Sequence, residues 1–129
     1  MFVVPNEIID QFEVAKEQLI TTHAKWKLLE QLYAKSKVRT EFLRRIGSDF
    51  FALVQDSMLT DIMMSLGRLL DTPHVKGNNN LTLERLKNSV HALGNEELAL
   101  KLDVHLRYAK AAYEATKKYR NKRIAHNDW

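Results

Sequence analysis

The strongest constraint on the fold is the spacing of large apolar residues, which recur every three or four positions over most of the chain. The first stripe of this kind consists of Ile8, Phe12, Ala15, Leu19, Trp26, Leu29 and Tyr33. Residues at this spacing lie along one side of an α-helix, so the stripe predicts a single helix of about seven or eight turns. Asn6 is expected to cap its N-terminus, with Glu7 and Asp10 near the positive end of the helix dipole.

A second apolar stripe begins after a break in phase around Lys35–Lys37. Its members are Val38, Phe42, Ile46, Phe50, Leu53, Val54, Leu59, Ile62, Met63, Leu66, Leu69 and Leu70. At about 1.5 Å per residue, each of these two helices would be roughly 40–45 Å long. Long helices joined by a short turn normally pack as an antiparallel hairpin. Within the second helix, Gly67 is expected to permit a close helix crossing.

The rest of the chain predicts one loop and two further helices. Residues 71–80 contain proline, glycine and three consecutive asparagines, which favour turns. Helical spacing resumes from Leu81 to Leu93, where Gly94 is expected to end the helix. Asn95 is expected to cap a last helix that continues into basic residues. No strand pattern is present, so residues 1–129 are predicted to form one all-α domain, an antiparallel bundle of about four helices with the first two long.

Composition excludes several kinds of site. The chain contains no cysteine, which removes disulfides, thiolate zinc sites, iron–sulfur clusters and cysteine nucleophiles. The histidines lack the helical spacing of metal ligands, and no glycine-rich phosphate loop is present, so neither a metal nor another cofactor is expected. No segment approaches the roughly 18 uncharged apolar residues of a membrane span, and the first residues do not resemble a signal peptide. We therefore expect a cytoplasmic protein that does not contact a membrane.

The net charge of +4 is concentrated at the C-terminal end. Residues 101–129 contain eight Lys/Arg against three Asp/Glu, whereas residues 1–100 are nearly balanced. Five cations fall within residues 117–123, with Tyr119 among them, and His126 follows. Arginine binds phosphate oxygens as a fork, aromatic rings stack on bases, and histidine transfers protons near neutral pH. These groups suffice to cleave RNA without a metal, because a base, an acid and a cation are all that the reaction requires.

A basic cluster at the end of a helix also has a simpler explanation, since cations there stabilise the helix dipole and keep the surface soluble. Composition alone favours this simpler explanation. Arg120 and His126 are six positions apart, about 240° around an ideal helix, and therefore do not share a face. They would converge only if the helix kinks or unwinds, or if two chains meet there. Pairing across a dimer axis is the simplest solution.

The C-terminal sequence resembles the signature of HEPN domains (higher eukaryote and prokaryote nucleotide-binding). In that superfamily an arginine followed by a polar residue precedes a histidine by four to six intervening positions. Here Arg120-Asn121 precedes His126 with five intervening positions. Two further blocks, DIMMSLGRLLD at 61–71 and NLTLERL at 80–86, are similar to the abortive-infection, AbiU-type branch, as is the wider string YRNKRIAHND that ends at residue 128.

The resemblance implies a bundle of about four or five helices, usually a homodimer whose two motifs face each other across a cleft. Many HEPN proteins are metal-independent endoribonucleases, and several act as toxins in phage defence or toxin–antitoxin systems. Others have lost activity and serve as binding modules. RNA, a second copy of the chain and an antitoxin protein are therefore the expected partners.

Three residues of the motif receive roles from this resemblance. Arg120 would stabilise the transition-state phosphate, His126 would act as general acid or base, and Asn121 would orient a phosphate or the histidine. Our own reading of the basic run adds residues that would hold RNA. The cations Lys117, Lys118, Lys122 and Arg123 would contact the RNA backbone, and Tyr119 would stack on a base.

The alternative function is a non-catalytic helical dimer that binds nucleic acid, nucleotide or a protein partner through its basic C-terminal segment. In that case Lys122 and Arg123 would matter more than His126. A separate structural expectation concerns Arg68 and Asp71. These residues are one turn apart and are expected to form an ion pair that ties the second helix to the following loop.

Overall fold

The computed structural model describes residues 3–72, 74–75, 78–79 and 81–125. Within these residues the structure is almost entirely helical, which confirms the predicted all-α bundle. The four helices are α1 (Asn6–Leu29), α2 (Lys37–Leu70), α3 (Leu83–Ala92) and α4 (Glu96–Tyr119). In the described part of the chain, no helix is long and apolar enough to cross a membrane.

Two helices end in a wider turn. The chain continues from α1 as a π-helix over Glu30–Ala34 and from α4 as a π-helix over Arg120–Ala125. In a π-helix each N–H bonds to the carbonyl five residues earlier, so the helix is locally unwound and its side chains change direction. The second π-helix coincides with the predicted Arg120 motif.

A very short ribbon interrupts the predicted loop. The strands β1 (His74–Val75) and β2 (Asn78–Asn79) pair antiparallel, with His74 opposite Asn79. Two-residue strands are too short to produce an alternating apolar pattern, which is why the sequence predicted none here.

Side-chain caps fix the starts of the later helices. Ser36 Oγ accepts a hydrogen bond from the Arg39 N–H at 3.2 Å, which confirms the break between α1 and α2. Asn95 Oδ1 accepts from the Leu98 N–H at 3.1 Å, as predicted for the start of α4. Gly94 has a φ of 83°, a left-handed conformation that favours glycine and ends α3 as expected.

The predicted cap of α1 is wrong by one residue. Asn6 is the first helical residue, and Pro5 occupies the cap position without a side-chain hydrogen bond. The carbonyl of Pro5 accepts from the N–H groups of Ile8 and Ile9, so the first turn forms without the asparagine side chain.

The first two helices form the expected antiparallel hairpin. The Tyr33 hydroxyl near the end of the α1 segment donates to the Phe51 carbonyl at 2.8 Å. Lys25, which precedes Tyr33 in the chain, forms an ion pair with Asp61, which follows Phe51. Contacts that run in opposite directions along the two helices define antiparallel packing.

The core lies at the C-terminal end of α2, where this helix packs on α4. Its buried members are Leu69, Leu70, Leu106 and Tyr113, with Leu66, Leu83 and Ala109 packed against them. The N-terminal half of α2 contributes little to burial, since Leu43 is the only buried residue of α2 before Ile62. Because the core is at this end, the end of α2 and the end of α4 are held against each other.

Leu69→Ala is expected to lower the free energy of unfolding by about 2–5 kcal/mol, because it leaves a cavity beneath a side chain that is 2% exposed. The matched control is Leu100→Ala, at a leucine that is 67% exposed, which should change stability by less than about 0.5 kcal/mol. Urea unfolding at one fixed protein concentration measures both. Equal losses in the two variants would contradict the placement of the core.

Candidate functional site

The candidate site is centred on Arg120, the first residue of the π-helix that follows α4. Its side chain does not extend into solvent like those of the lysines around it. It packs back onto the end of α2 and is only 13% exposed. An arginine this buried must have partners for its charge and its N–H groups.

The guanidinium of Arg120 makes four hydrogen bonds. Nη1 donates to Asp71 Oδ2 at 2.8 Å and to the Tyr113 hydroxyl at 2.9 Å. Nε and Nη2 donate to Asn121 Oδ1 at 3.2 and 3.0 Å. A guanidinium has five N–H groups, so one on Nη2 has no partner among the described residues. The side chain is therefore fixed in position and direction.

Gly67 makes this arrangement possible. A Cβ atom at residue 67 would lie 2.0 Å from Arg120 Nη1 and 3.2 Å from the Tyr113 hydroxyl oxygen. No side chain fits at such a distance without displacing the guanidinium. The groups that approach Gly67 are the side-chain ends of Tyr113 on α4 and Arg120 on its π-helical extension, and the close helix crossing expected at Gly67 stays a prediction.

Asp71 is the charged partner of Arg120, and the predicted pair between Arg68 and Asp71 is wrong. Arg68 Nη2 donates instead to Ser65 Oγ at 2.8 Å, within α2. Asp71 is the first residue after α2, with φ −71° and ψ 169°, so the helical geometry that would bring it over Arg68 no longer holds. Its carboxylate faces Arg120, and Oδ1 is buried with no hydrogen-bond partner among the described residues.

Tyr113 acts here as a neutral acceptor. Burial raises the pKa of its phenol, the Arg120 charge lowers it, and the Asp71 charge raises it further. The net shift is upward, so the folded protein favours the protonated phenol at neutral pH. Tyr113 therefore positions Arg120 and does not serve as a base.

A pocket of about 430 Å³ opens beside this cluster. Its lining comes from Gln18, Met64, Gly67, Arg68, Asp71, Leu81, Thr82 and Arg120. The lining includes residues from each of the three sequence blocks on which the family resemblance rests, at 61–71, 80–86 and 119–128. Segments far apart in the sequence thus meet at one place, which lends that place functional interest.

The other predicted site residues lie outside this pocket or outside the described residues. Lys118 and Lys122 are exposed, Lys117 is half-buried, and Tyr119 is 48% exposed. Asn121 contacts Arg120, while its expected role toward a phosphate or His126 stays a prediction. His126 lies outside the described residues, as does the side chain of Arg123.

No group of three potential metal ligands occurs among the histidines and carboxylates that the structure describes. The charged residues that line the pocket are Arg68, Asp71 and Arg120. Arg68 and Arg120 supply two positive charges against the single negative charge of Asp71, which favours an anion.

Comparison with known proteins finds a family model that matches the chain. The family model of AbiU2, a HEPN family, matches residues 5–129. The chain belongs to the HEPN AbiU2 family. No curated protein and no solved structure matches the chain.

Sequence reasoning missed Asp71 and Tyr113 as partners of Arg120. Helical spacing predicts a pair between Asp71 and Arg68, and it gives no sign that the Tyr113 hydroxyl accepts a hydrogen bond from Arg120. Gly67 was the available signal, because a glycine inside a helix costs about 1 kcal/mol relative to alanine and needs a compensating reason.

Gly67→Ala is expected to lower the free energy of unfolding by about 1–3 kcal/mol, because the new Cβ displaces Arg120 from Asp71. In an Arg120→Ala background, Gly67→Ala should lower the free energy of unfolding much less. The guanidinium that the new Cβ displaces is then absent, and alanine favours helix more than glycine does. Urea unfolding of the four proteins completes the comparison. An identical cost in both backgrounds would show that the guanidinium does not occupy this space.

Proposed function

We propose that this HEPN AbiU2 protein is a metal-independent endoribonuclease that acts in the cytoplasm as a phage-defence or toxin-like protein. The observation that carries the proposal is the fixed, partly neutralised Arg120 in a pocket built from the three family blocks. Family membership supports a HEPN-type role. RNA is the proposed substrate, and an antitoxin protein is a proposed partner.

Arg120 would stabilise the phosphate in the transition state. Fixed donors are effective catalysts because they require no reorganisation when charge develops. One Nη2 N–H has no partner among the described residues, and together with the adjoining pocket it offers a phosphate oxygen a place to bind. Asp71, Tyr113 and Asn121 are positioning residues in this proposal, because each holds the guanidinium and none needs to contact the RNA.

The reaction would proceed by transfer within the RNA itself. The ribose 2′-oxygen bonds to the adjacent phosphorus, the bond from phosphorus to the 5′-oxygen breaks, and a 2′,3′-cyclic phosphate and a 5′-hydroxyl result. A base takes the 2′-hydroxyl proton and an acid returns one to the 5′-oxygen. His126 would fill one of these roles, and the equivalent histidine of a second copy across a cleft would fill the other.

The basic run would hold the RNA strand beside the pocket. Lys118 and Lys122 are exposed, and Lys117 is half-buried. None of these three lysines forms an ion pair with a carboxylate in the described part of the chain. The exposed cations can therefore contact RNA phosphates without first breaking a described protein ion pair.

One observation favours the alternative, a non-catalytic binding module. Arg120 has a carboxylate partner at 2.8 Å and gives four of its five N–H donors to described residues of the protein. An arginine in this state can be purely structural, joining α2 to the end of α4. RNA, nucleotide or a protein partner would then be bound by the exposed lysines alone.

His126→Ala is expected to reduce RNA cleavage in EDTA by about 100-fold or more, because general acid–base catalysis contributes at least this much. The matched control is His105→Ala, at an exposed histidine on α4, which should retain wild-type activity. Labelled tRNA and mRNA are the substrates, and 2′,3′-cyclic phosphate ends identify the products. Cleavage retained by His126→Ala would exclude this mechanism, and cleavage by neither protein would favour the binding module.

Lys118→Ala and Lys122→Ala are each expected to weaken RNA binding and to reduce the slope of log K against log salt by about 0.7, the value for one single-strand phosphate contact. Lys16→Ala, on the exposed surface of α1, should leave the slope unchanged. A salt titration of binding to a single-stranded RNA measures all three. Equal slopes throughout would remove the basic run from the RNA interface.

A further inference from the structure

Arg68 is a second arginine at the pocket beside Arg120. It lies on α2 directly after Gly67, and its side chain lines the pocket. The Arg120 side chain is only 13% exposed, whereas Arg68 is exposed to solvent. The cleavage mechanism proposed above gives Arg68 no role, although it is one of the charged groups that a ligand entering this pocket would meet.

One hydrogen bond holds the Arg68 side chain. Its Nη2 donates to Ser65 Oγ at 2.8 Å, and that hydroxyl donates in turn to the Asp61 carbonyl at 2.8 Å. A serine hydroxyl has one proton, so an oxygen that already donates to the backbone can only accept further hydrogen bonds. Ser65 is 5% exposed and therefore fixed in place. It gives Arg68 a neutral acceptor that restricts the direction of the guanidinium.

No carboxylate among the described residues neutralises the charge of Arg68. Its partner there is the neutral Ser65 hydroxyl, whereas Arg120 pairs with Asp71 at 2.8 Å. A guanidinium carries five N–H donors, so four of those on Arg68 have no partner in the described part of the chain. An arginine in this state attracts a phosphate group, because a guanidinium binds two phosphate oxygens as a fork.

The pocket has room for more than a phosphate group. Its volume of about 430 Å³ lies within the range of roughly 300–1,000 Å³ that is common for small-molecule sites. The apolar side chains of Met64 and Leu81 line it together with the two arginines. Methionine makes favourable contacts with aromatic rings. Cations beside an apolar surface match a nucleotide unit, which carries an anionic phosphate and a flat aromatic base.

We propose that Arg68 is a substrate-binding residue, which binds a backbone phosphate of the RNA strand that occupies the Arg120 pocket. This inference rests on the proposed function, since it takes RNA as the ligand. Arg68 holds the strand both before and during the chemical step, whereas Arg120 stabilises the phosphate at which the strand is cut. A contact that is equally strong in both states lowers KM without raising kcat.

The two arginines differ in the way that this division of roles requires. Arg120 is held by four hydrogen bonds, so its guanidinium is fixed before RNA arrives. Arg68 is exposed and held by one hydrogen bond, so a strand can reach it from solvent. Cations that contact phosphates in this way release counterions from the nucleic acid, and the binding weakens as salt is added.

The first test is a salt titration of binding to a single-stranded 2′-O-methyl RNA, which cannot be cleaved because it lacks the attacking 2′-hydroxyl. Arg68→Ala is expected to weaken binding by about tenfold, because it removes charge-assisted hydrogen bonds. It should also reduce the slope of log K against log salt by about 0.7. The matched control is Arg44→Ala, at an exposed arginine of α2 that does not line the pocket, which should change neither quantity. Wild-type affinity and slope in Arg68→Ala would overturn the proposal.

Arg68→Lys distinguishes a phosphate contact from a structural role of this side chain. Lysine keeps the positive charge and binds phosphate as a point charge, but it lacks the planar fork. The salt slope should therefore return to the wild-type value, with an affinity between those of the wild type and Arg68→Ala. A lysine variant with the slope of the alanine variant would contradict a charge contact with the RNA.

Cleavage of an unmodified RNA separates this inference from the proposed function. Arg68→Ala should raise KM by about tenfold with little change in kcat, as expected when a contact common to both states is lost. A lower kcat with unchanged KM would overturn the binding role of Arg68. Absence of cleavage by the wild type would reject the endoribonuclease, and binding of the 2′-O-methyl RNA would still decide the role of Arg68. A wild type that binds no RNA would overturn both.

Discussion

The contact between Asp71 and Arg120 joins two elements that are 49 positions apart in the sequence, the residue after α2 and the first residue after α4. Gly67 leaves room for the guanidinium, and Tyr113 and Asn121 complete its hydrogen bonds. An unpaired guanidinium at this depth would be costly, so these contacts depend on one another. The pocket beside them exists because the ends of α2 and α4 are held together at this point.

The contact between Asp71 and Arg120 is compatible with both candidate functions, the endoribonuclease and the non-catalytic binding module. A fixed cation in a pocket suits transition-state stabilisation, whereas a neutralised cation suits a structural joint. The choice depends on whether a phosphate oxygen can share the guanidinium with Asp71. The buried Asp71 Oδ1, which lacks a described partner, shows that the carboxylate is not fully satisfied by Arg120 alone.

Local features of the fold could be predicted from the sequence because their causes are local. The spacing of apolar residues predicted the four helices. Ser36 and Asn95 cap the starts of two of them, and Gly94 has the left-handed backbone that ends a third. The pairing of Asp71 could not be predicted, since a residue that leaves the helix no longer obeys helical spacing. The π-helix at Arg120 also has no recognisable sequence pattern. Family resemblance identified the motif, but only the folded chain shows which side chains hold Arg120.

The most direct test of the contact between Asp71 and Arg120 is a double-mutant cycle of Asp71→Asn and Arg120→Lys, measured as the free energy of urea unfolding. Lysine retains the charge but not the planar fork, and asparagine retains the shape of the carboxylate but not its charge. If the contact holds both side chains in place, the coupling energy between the two positions is expected to be about 1–3 kcal/mol. Additive effects on the free energy of unfolding, with a coupling energy near zero, would show that Asp71 and Arg120 do not stabilise each other. That result would contradict the role of their contact in forming the site.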